Sequence, residues 1–116
     1  GGYKVQGTET KKAVSIIESA KILEESGTDI FVLELIPSEL AKKITQHVKV
    51  PTIGIGAGIY VDGQVLVLHD MLGLSDGHNP KFAKSFFSKG DTIEQAIRNY
   101  IHAVKNKEYP CSEHSY

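Results

Sequence analysis

The sequence predicts an α/β fold whose three parallel strands form the C-terminal part, strands 6–8, of a (β/α)8 barrel with a helical C-terminal tail. Helical and strand-like stretches alternate along the 116 residues, as in βα units. The predicted strands are almost wholly apolar, which is typical of strands covered on both faces. Three strands cannot close a barrel, which typically needs about 250 residues. Because the chain also begins with loop residues and no methionine, we expect a piece of a longer barrel.

The first elements are a helix, a strand and a second helix. Apolar residues recur every three or four positions from Thr10 to Gly27, which predicts a helix that ends at the glycine. Residues Ile30 to Ile36 are predicted to form the first strand. Pro37 then suits the first turn of a short helix, whose apolar stripe is Leu40, Ala41, Ile44 and Val48.

Two more strands and two helices complete the prediction. Val50–Ile55 and Val65–Leu68 are the apolar runs that predict the second and third strands. Lys81–Ser88, with three phenylalanines, is predicted to be a short helix. Asp91 is predicted to open a longer helix, because Glu94 follows three residues later as in a capping box.

A single domain is expected over residues 1–116, as the C-terminal portion of one barrel. Residues 1–76 would hold the barrel βα units and residues 77–116 the helical tail. The net charge of -1 does not provide the positive electrostatic field that attracts nucleic acid to a protein. No apolar run approaches the roughly 20 residues of a membrane span. We therefore expect neither a nucleic-acid partner nor a membrane.

The only cysteine is Cys111, so an intrachain disulfide cannot form. This favours a reducing compartment, which we take to be the cytoplasm. We expect Cys111 to be an inert surface residue, because a nucleophilic thiol needs an electropositive environment that the sequence does not show.

Glu34 is a carboxylate within an otherwise apolar strand, "DIFVLELIP". Side chains alternate along a strand, so Glu34 shares a face with Ile30 and Val32, opposite Phe31 and Leu33. In a barrel it would point into the lumen near the carboxyl end of the strand, where barrel enzymes build their active sites. Two interpretations stay open at this point: a general base, or a structural glutamate paired with a lysine on a neighbouring strand.

The glycines of "GIGAG" (54–58) do not form a dinucleotide-binding motif, because the spacing differs and a turn follows instead of a helix. If Ile53 and Ile55 face the helices, then Gly54 and Gly56 face the lumen and leave space beside Glu34. Glycines required only for close backbone packing are the alternative.

Other polar residues give weaker signals. His69 and Asp70 end the predicted third strand, but neighbours in a strand point to opposite faces. His47 suits the negative end of its helix, and His78, His102 and His114 are scattered. Asp62, Asp70 and Asp76 do not form a calcium loop, so we expect no metal site that this chain completes alone.

Six stretches together resemble the ketopantoate hydroxymethyltransferase (3-methyl-2-oxobutanoate hydroxymethyltransferase) family. They are "GGYKVQG" (1–7), "VLELIPSELAKKIT" (32–45), "PTIGIGAG" (51–58), "DGQVLVLHDMLGL" (62–74), "GHNPKFAKSF" (77–86) and "YPCSEHSY" (109–116). The resemblance runs from the first residue to the last, in the same order, and it covers about the C-terminal half of the family's chain.

The resemblance implies a (β/α)8 barrel enzyme that transfers a one-carbon unit from 5,10-methylenetetrahydrofolate to 3-methyl-2-oxobutanoate, giving 2-dehydropantoate. It implies that Glu34, in Leu33-Glu34-Leu35-Ile36-Pro37, is the proton acceptor. A bound Mg²⁺ would polarise the keto oxygen, with its ligands in the N-terminal half of the barrel and none in this chain. No substrate-binding residue is assigned here. The resemblance also implies small-molecule substrates, the N-terminal half as a partner, a homo-oligomer, and an isolated chain that is inactive.

Two other functions remain as alternatives. One is a different Mg-dependent barrel that forms an enolate from a 2-oxo acid, of the phosphoenolpyruvate mutase or isocitrate lyase type. The other is a non-catalytic half-barrel fragment that serves in assembly or folding, since three strands leave unpaired sheet edges.

Overall fold

The computed structural model describes residues 4–75 and 79–116. In chain order its elements are α1 (Thr10–Glu25), β1 (Phe31–Glu34), α2 (Ser38–His47), β2 (Thr52–Ile55), β3 (Gly63–Gln64), α3 (Leu68–Met71), α4 (Ile93–Lys105) and a final 3-10 helix (Ser112–His114). The chain start "GGY" (1–3), Asp76 and His78 lie outside the described residues. The predicted boundary between residues 76 and 77 also lies there, and it stays a prediction.

Within the described ranges, β1, β2 and β3 form a parallel sheet in that order. The register pairs Phe31 with Thr52 and Leu33 with Gly54. The helix α2 connects β1 to β2, as parallel strands require a crossover between them. The α/β fold with a parallel sheet is therefore confirmed. The assignment of these strands to barrel positions 6–8 stays a prediction.

One face of the sheet is buried under α1 and α2. Leu33 points from β1 into this core, and Ile44 of α2 is completely buried. The buried residues of the cluster are Ala20, Leu33, Ile36, Leu40, Ala41, Ile44, Val48 and Ala57. Burying each large aliphatic side chain contributes about 1.5–3 kcal/mol, so this cluster holds the two helices on the sheet.

The opposite face of the sheet is open. Val32 exposes 62% of its surface and Ile30 exposes 52%. β1 and β3 are the outer strands of the described sheet. Contiguous exposed apolar surface is typical of a surface that packs against another body, and outer strands offer unpaired backbone groups to further strands.

The helices α1 and α2 are confirmed, with small shifts at their ends. α1 ends two residues before Gly27, which takes a φ of +99°. Pro37 stands one residue before α2 as its N-cap, and its carbonyl accepts from the N–H of Leu40 and of Ala41. Across the described residues, none of the helices combines the length and apolarity needed to cross a membrane.

The helix α4 is also confirmed, but its predicted capping residue is wrong. The hydroxyl of Thr92 accepts from the N–H of Gln95 at 3.2 Å. The carboxylate of Asp91 is occupied elsewhere, because it accepts from the N–H of Ser88 at 2.9 Å. Both residues are good N-caps, and the turn that precedes the helix decides between them.

The third strand lies earlier in the chain than predicted. Val65–Leu68 was expected, but β3 comprises Gly63–Gln64 and Leu68 begins the short helix α3. The N–H of Val65 still donates to the carbonyl of Gly54 at 3.0 Å. Four consecutive apolar residues fit either a strand or a helix. The stretch begins with Val65, which is still bonded to β2, and ends with Leu68, which is helical. The predicted position of the strand is therefore wrong.

The predicted helix over Lys81–Ser88 is also wrong, because the segment is irregular. Phe82 and Phe86 are both buried. The Phe86 ring packs edge-on against Tyr100 at 5.3 Å and Tyr109 at 5.2 Å between centroids, in a cluster of which Phe82 is not a member. The four-residue spacing of Phe82 and Phe86 therefore does not reflect one face of a helix, because the two rings are buried in different surroundings.

Candidate functional site

Glu34 is the last residue of β1, at the carboxyl end of the parallel sheet, and its side chain is exposed. The predicted alternation along β1 is observed, because Val32 is exposed on the same face whereas Leu33 is buried on the other. The register places Glu34 beside Ile55 of β2. Its carboxylate therefore stands on the open face, at the end of the sheet where loops meet. Its catalytic role stays a prediction.

A strained turn follows Glu34 directly. Leu35 has a φ of +50°, a left-handed conformation that costs a side-chain-bearing residue about 1–2 kcal/mol. Its N–H donates to the carbonyl of Ile55 at 3.0 Å, and its carbonyl accepts from the N–H of Gln6 at 2.8 Å. The turn buries both Leu35 and Ile36. Strain of this kind persists where surrounding contacts determine the conformation, so the backbone that carries Glu34 is held firmly.

The predicted orientation of the glycines in β2 is wrong. Gly54 pairs with Leu33 and is buried on the helix side, whereas Ile53 and Ile55 lie on the open face with Glu34. In-register residues of a parallel sheet point to the same side, so the open space expected beside Glu34 is filled by Ile55. Gly56 is close-packed too, because a Cβ there would lie 2.6 Å from the ring of Phe82.

The reason for this orientation is a polar network around Thr52, which is completely buried. Its N–H and its hydroxyl donate to one carboxylate oxygen of Asp62, at 2.8 and 3.0 Å. Because that hydroxyl proton is used, the hydroxyl of Thr45 on α2 must donate in the 2.8 Å contact between the two threonines. A buried hydroxyl needs such partners, and they lie on the helix side of the sheet.

His69 and Asp70 do not end a strand, as predicted, because both belong to α3. The carboxylate of Asp70 accepts from the hydroxyl of Ser75, and His69 is exposed. The error follows from the misplaced third strand. Neither residue lies beside Glu34 in the sheet.

The described residues show no group of three or more His, Cys, Asp or Glu side chains able to hold a metal ion. His47 is the last residue of α2, and its Nδ1 lies 2.7 Å from the carbonyl of Lys43. This agrees with its interpretation as a helix-terminal residue. Asp62 is engaged in the Thr52 network.

Cys111 forms a close pair with His114, in which Sγ and Nδ1 are 3.0 Å apart. Burial, and next the charge of Lys84, lower the pKa of His114 below its usual value. A neutral imidazole does not supply the positive charge that stabilises a thiolate. The pair therefore supports an unreactive thiol. Cys111 is half-buried, whereas a surface position was predicted.

A cavity of about 310 Å³ lies where the tail meets the first turn of α2. Ser38, Tyr60, Cys111 and Ser115 contribute to its wall. The sequence left the position of the tail open, and its contact with the start of α2 was missed. The segment "YPCSEHSY" (109–116) was noted as part of a resemblance, but no spacing in it indicates a partner.

A comparison with protein families gives one match over nearly the whole chain. The model described as Ketopantoate hydroxymethyltransferase matches residues 1–112. The match includes β1, the Leu-Glu-x-x-Pro segment and the loop after β2.

Curated relatives are similar over the whole chain. It is 54% identical over 117 residues to the 3-methyl-2-oxobutanoate hydroxymethyltransferase of Stutzerimonas stutzeri and 49% identical over 116 residues to 3-methyl-2-oxobutanoate hydroxymethyltransferase 2 of Hahella chejuensis. It is 51% identical over 116 residues to the probable 3-methyl-2-oxobutanoate hydroxymethyltransferase of Schizosaccharomyces pombe. Each alignment covers 100% of this chain but 43% or 44% of the relative. The chain thus spans less than half the length of the relatives it matches.

Proposed function

Because the chain belongs to the ketopantoate hydroxymethyltransferase family, we propose that it forms the C-terminal part of an enzyme of pantothenate biosynthesis. The enzyme would transfer a hydroxymethyl group from 5,10-methylenetetrahydrofolate to 3-methyl-2-oxobutanoate, giving 2-dehydropantoate. In this proposal β1, β2 and β3 are strands 6, 7 and 8 of a (β/α)8 barrel. The open apolar face and the outer strands support it, since five further strands would cover both.

Glu34 is the proton acceptor in this proposal, and its position is the single observation that carries the mechanism. It ends β1 on the open face of a parallel sheet, which in a closed barrel is the lumen at the catalytic end. Its carboxylate is exposed on this face. An accessible carboxylate held by a fixed backbone turn meets the geometric requirement for a general base.

In the proposed reaction, proton abstraction precedes the formation of the C–C bond. Glu34 takes the proton from the carbon next to the ketone of 3-methyl-2-oxobutanoate, and the electron pair of that C–H bond forms the enolate. One water opens the methylene bridge of the folate: its oxygen bonds to the methylene carbon, one C–N bond breaks, and that nitrogen takes a proton from the water. The enolate carbon then attacks this hydroxymethyl carbon and forms the new C–C bond, while the second C–N bond breaks. The second nitrogen receives the proton that Glu34 took, and tetrahydrofolate is released.

The described residues do not fit a magnesium site by themselves. They contain no group of three or more possible ligands, and Glu34 provides one carboxylate, beside Ile55. We assign the Mg²⁺ ligands, and the contacts that bind the keto acid, to the part of the barrel outside this chain. The chain alone is then inactive and needs the N-terminal half. A homo-oligomer in the cytoplasm completes the proposal.

The test is Glu34→Gln in the complete protein. Exchange of the keto acid proton for deuterium, followed by NMR without folate, reports proton abstraction alone. Loss of a general base typically costs about 10²–10⁴-fold in rate, so we expect exchange to fall by that factor. Keto acid binding, measured by calorimetry, should change little, because the amide keeps the shape of the side chain.

Glu39→Gln is the matched control. Glu39 is exposed in the first turn of α2, so this variant removes a carboxylate from the same end of the sheet. Exchange should stay near the wild-type rate. Exchange that survives at near wild-type rate in Glu34→Gln would refute the role of Glu34 as the base.

A further inference from the structure

The C-terminal residues 111–116, which we call the C-terminal strap, are attached to the start of α2. The N–H of Ser38 donates to the carbonyl of Tyr116 at 2.8 Å. Lys81 Nζ donates to the carbonyl of Ser115 at 2.5 Å and lies 5.5 Å from the centroid of the Tyr116 ring. The first N–H groups of a helix lack intrahelical partners, and the strap supplies one. The strap therefore binds the junction between β1 and α2.

The strap also packs, through His114, on the aromatic cluster formed by Phe86, Tyr100 and Tyr109. The His114 ring packs on the Tyr109 ring with 5.2 Å between centroids. Tyr109 is 3% exposed, and its hydroxyl donates to the carbonyl of Phe82 at 2.6 Å. Within the strap, the hydroxyl of Ser115 donates to the carbonyl of Cys111 at 2.8 Å. The strap is thus held by an internal hydrogen bond and by its packing on the buried ring of Tyr109.

The junction that the strap binds also carries Glu34. Ser38 follows Glu34 by four residues, with the left-handed Leu35 between them. Two backbone hydrogen bonds hold the junction at Leu35: its N–H donates to the carbonyl of Ile55, and its carbonyl accepts from the N–H of Gln6. The bond to Tyr116 is the third restraint, and it acts at the other end of the same short turn. A strained turn keeps its conformation when its surroundings determine it.

We propose that the C-terminal strap positions Glu34 for proton abstraction, and that Lys81 is a positioning residue that fastens the strap. This inference rests on the proposed function. A general base must lie within about 2.6–3.2 Å of the group whose proton it takes, and a misplacement of about 1 Å can cost about 10²-fold in rate. Releasing the strap should therefore slow proton abstraction and leave keto acid affinity nearly unchanged, since the proposed function assigns the keto acid contacts to the part of the barrel outside this chain.

The test uses two strap variants in the complete protein. A stop codon after His114 removes Ser115 and Tyr116, and with them the bonds to Ser38 and Lys81. We expect deuterium exchange of the keto acid and kcat to fall about 10- to 100-fold, with the keto acid Kd within about twofold of wild type. Lys81→Met removes only the charged donor, and a fall of about threefold is expected. Lys81→Arg keeps a charged donor and should restore the rate.

The control is Lys89→Met, an exposed lysine of the same irregular segment, which should leave exchange unchanged. Unchanged exchange in both the truncated protein and Lys81→Met overturns the proposal, and so does a keto acid Kd that rises in step with the fall in rate. Should the truncated protein not fold, the comparison of Lys81→Met with Lys81→Arg decides. If Glu34→Gln slows exchange as expected while the strap variants exchange at the wild-type rate, the strap proposal alone fails. Exchange that survives in Glu34→Gln removes the proposed function itself.

Discussion

Gly58→Ala tests how closely the loop after β2 must approach the helix that follows Glu34. Gly58 has a φ of +76°. A Cβ added there would lie 2.6 Å from the Cβ and 3.1 Å from the Cα of Ser38. The second contact is with backbone, so a side-chain rotation cannot relieve it. We expect the variant to push the loop away from the first turn of α2.

The magnitude has two parts, and a second glycine separates them. An alanine at positive φ costs about 1–2 kcal/mol, and forcing a methyl group into close-packed surroundings costs about 1–3 kcal/mol. Gly58→Ala should therefore destabilise by about 2–5 kcal/mol. Gly90 has a φ of +98° but nothing within 4 Å of its added Cβ. Gly90→Ala should carry only the first part, about 1–2 kcal/mol.

Two measurements check this difference in the complete protein. The urea midpoint, followed by circular dichroism, should fall further for Gly58→Ala than for Gly90→Ala. Hydrogen exchange at the first turn of α2 should accelerate about tenfold per 1.4 kcal/mol in Gly58→Ala alone, because Ser38 lies at the point of overlap. Equal destabilisation by both variants, with no change of exchange at α2, would show that the close approach to Ser38 is unimportant.

Two further predictions concern the buried threonine and the C-terminal strap. Thr52→Val should cost about 1–3 kcal/mol in urea unfolding, because it removes the hydrogen bonds of the buried hydroxyl to the carboxylate of Asp62 and to Thr45. The exposed Thr8→Val should stay within about 0.5 kcal/mol, and equal values would contradict the network. Burial in the docked strap lowers the pKa of the His114 imidazole below its usual 6.5, so the released strap binds the proton more readily. Docking of the strap should therefore weaken as pH falls from 6.5 through the lowered pKa. Proteolysis of the strap should accelerate over that interval in the wild type and stay flat in His114→Gln; an equal rise in both would exclude His114 as the cause.

The amphipathic elements were predictable because each buries one stripe or one face. The spacing in α1 and α2 indicated helices that the structure contains. In β1, Glu34 itself marked the exposed face, since a lone carboxylate among apolar residues distinguishes one side of a strand from the other. The position of Glu34 at the carboxyl end of the sheet could therefore be predicted from that one strand, and its role stays a prediction.

The errors arise where the pattern carries no such contrast. In β2, Ile53 and Ile55 are as apolar as a buried face would be, so the side could not be assigned from hydrophobicity. The side was determined by the hydroxyl of Thr52, whose partners Thr45 and Asp62 lie seven and ten residues away. Long-range contacts of this kind also place the strap, because Lys81 and Ser115 are 34 residues apart and no local spacing relates them.

The register of β1 limits where a lysine partner for Glu34 could lie. A structural ion pair needs a lysine on an adjacent strand, but the in-register neighbour on β2 is Ile55, and β2 contains no lysine. The partner would have to come across the other edge of β1, which is an outer edge of the described sheet. The keto acid contacts are also proposed to lie outside this chain, so position alone does not separate a base from an ion pair. Their energetics do: removing the charge of one member of a buried pair destabilises by about 3–5 kcal/mol, whereas removing a base lowers proton exchange at unchanged stability. A Glu34→Gln protein with wild-type melting temperature and no exchange therefore identifies the base.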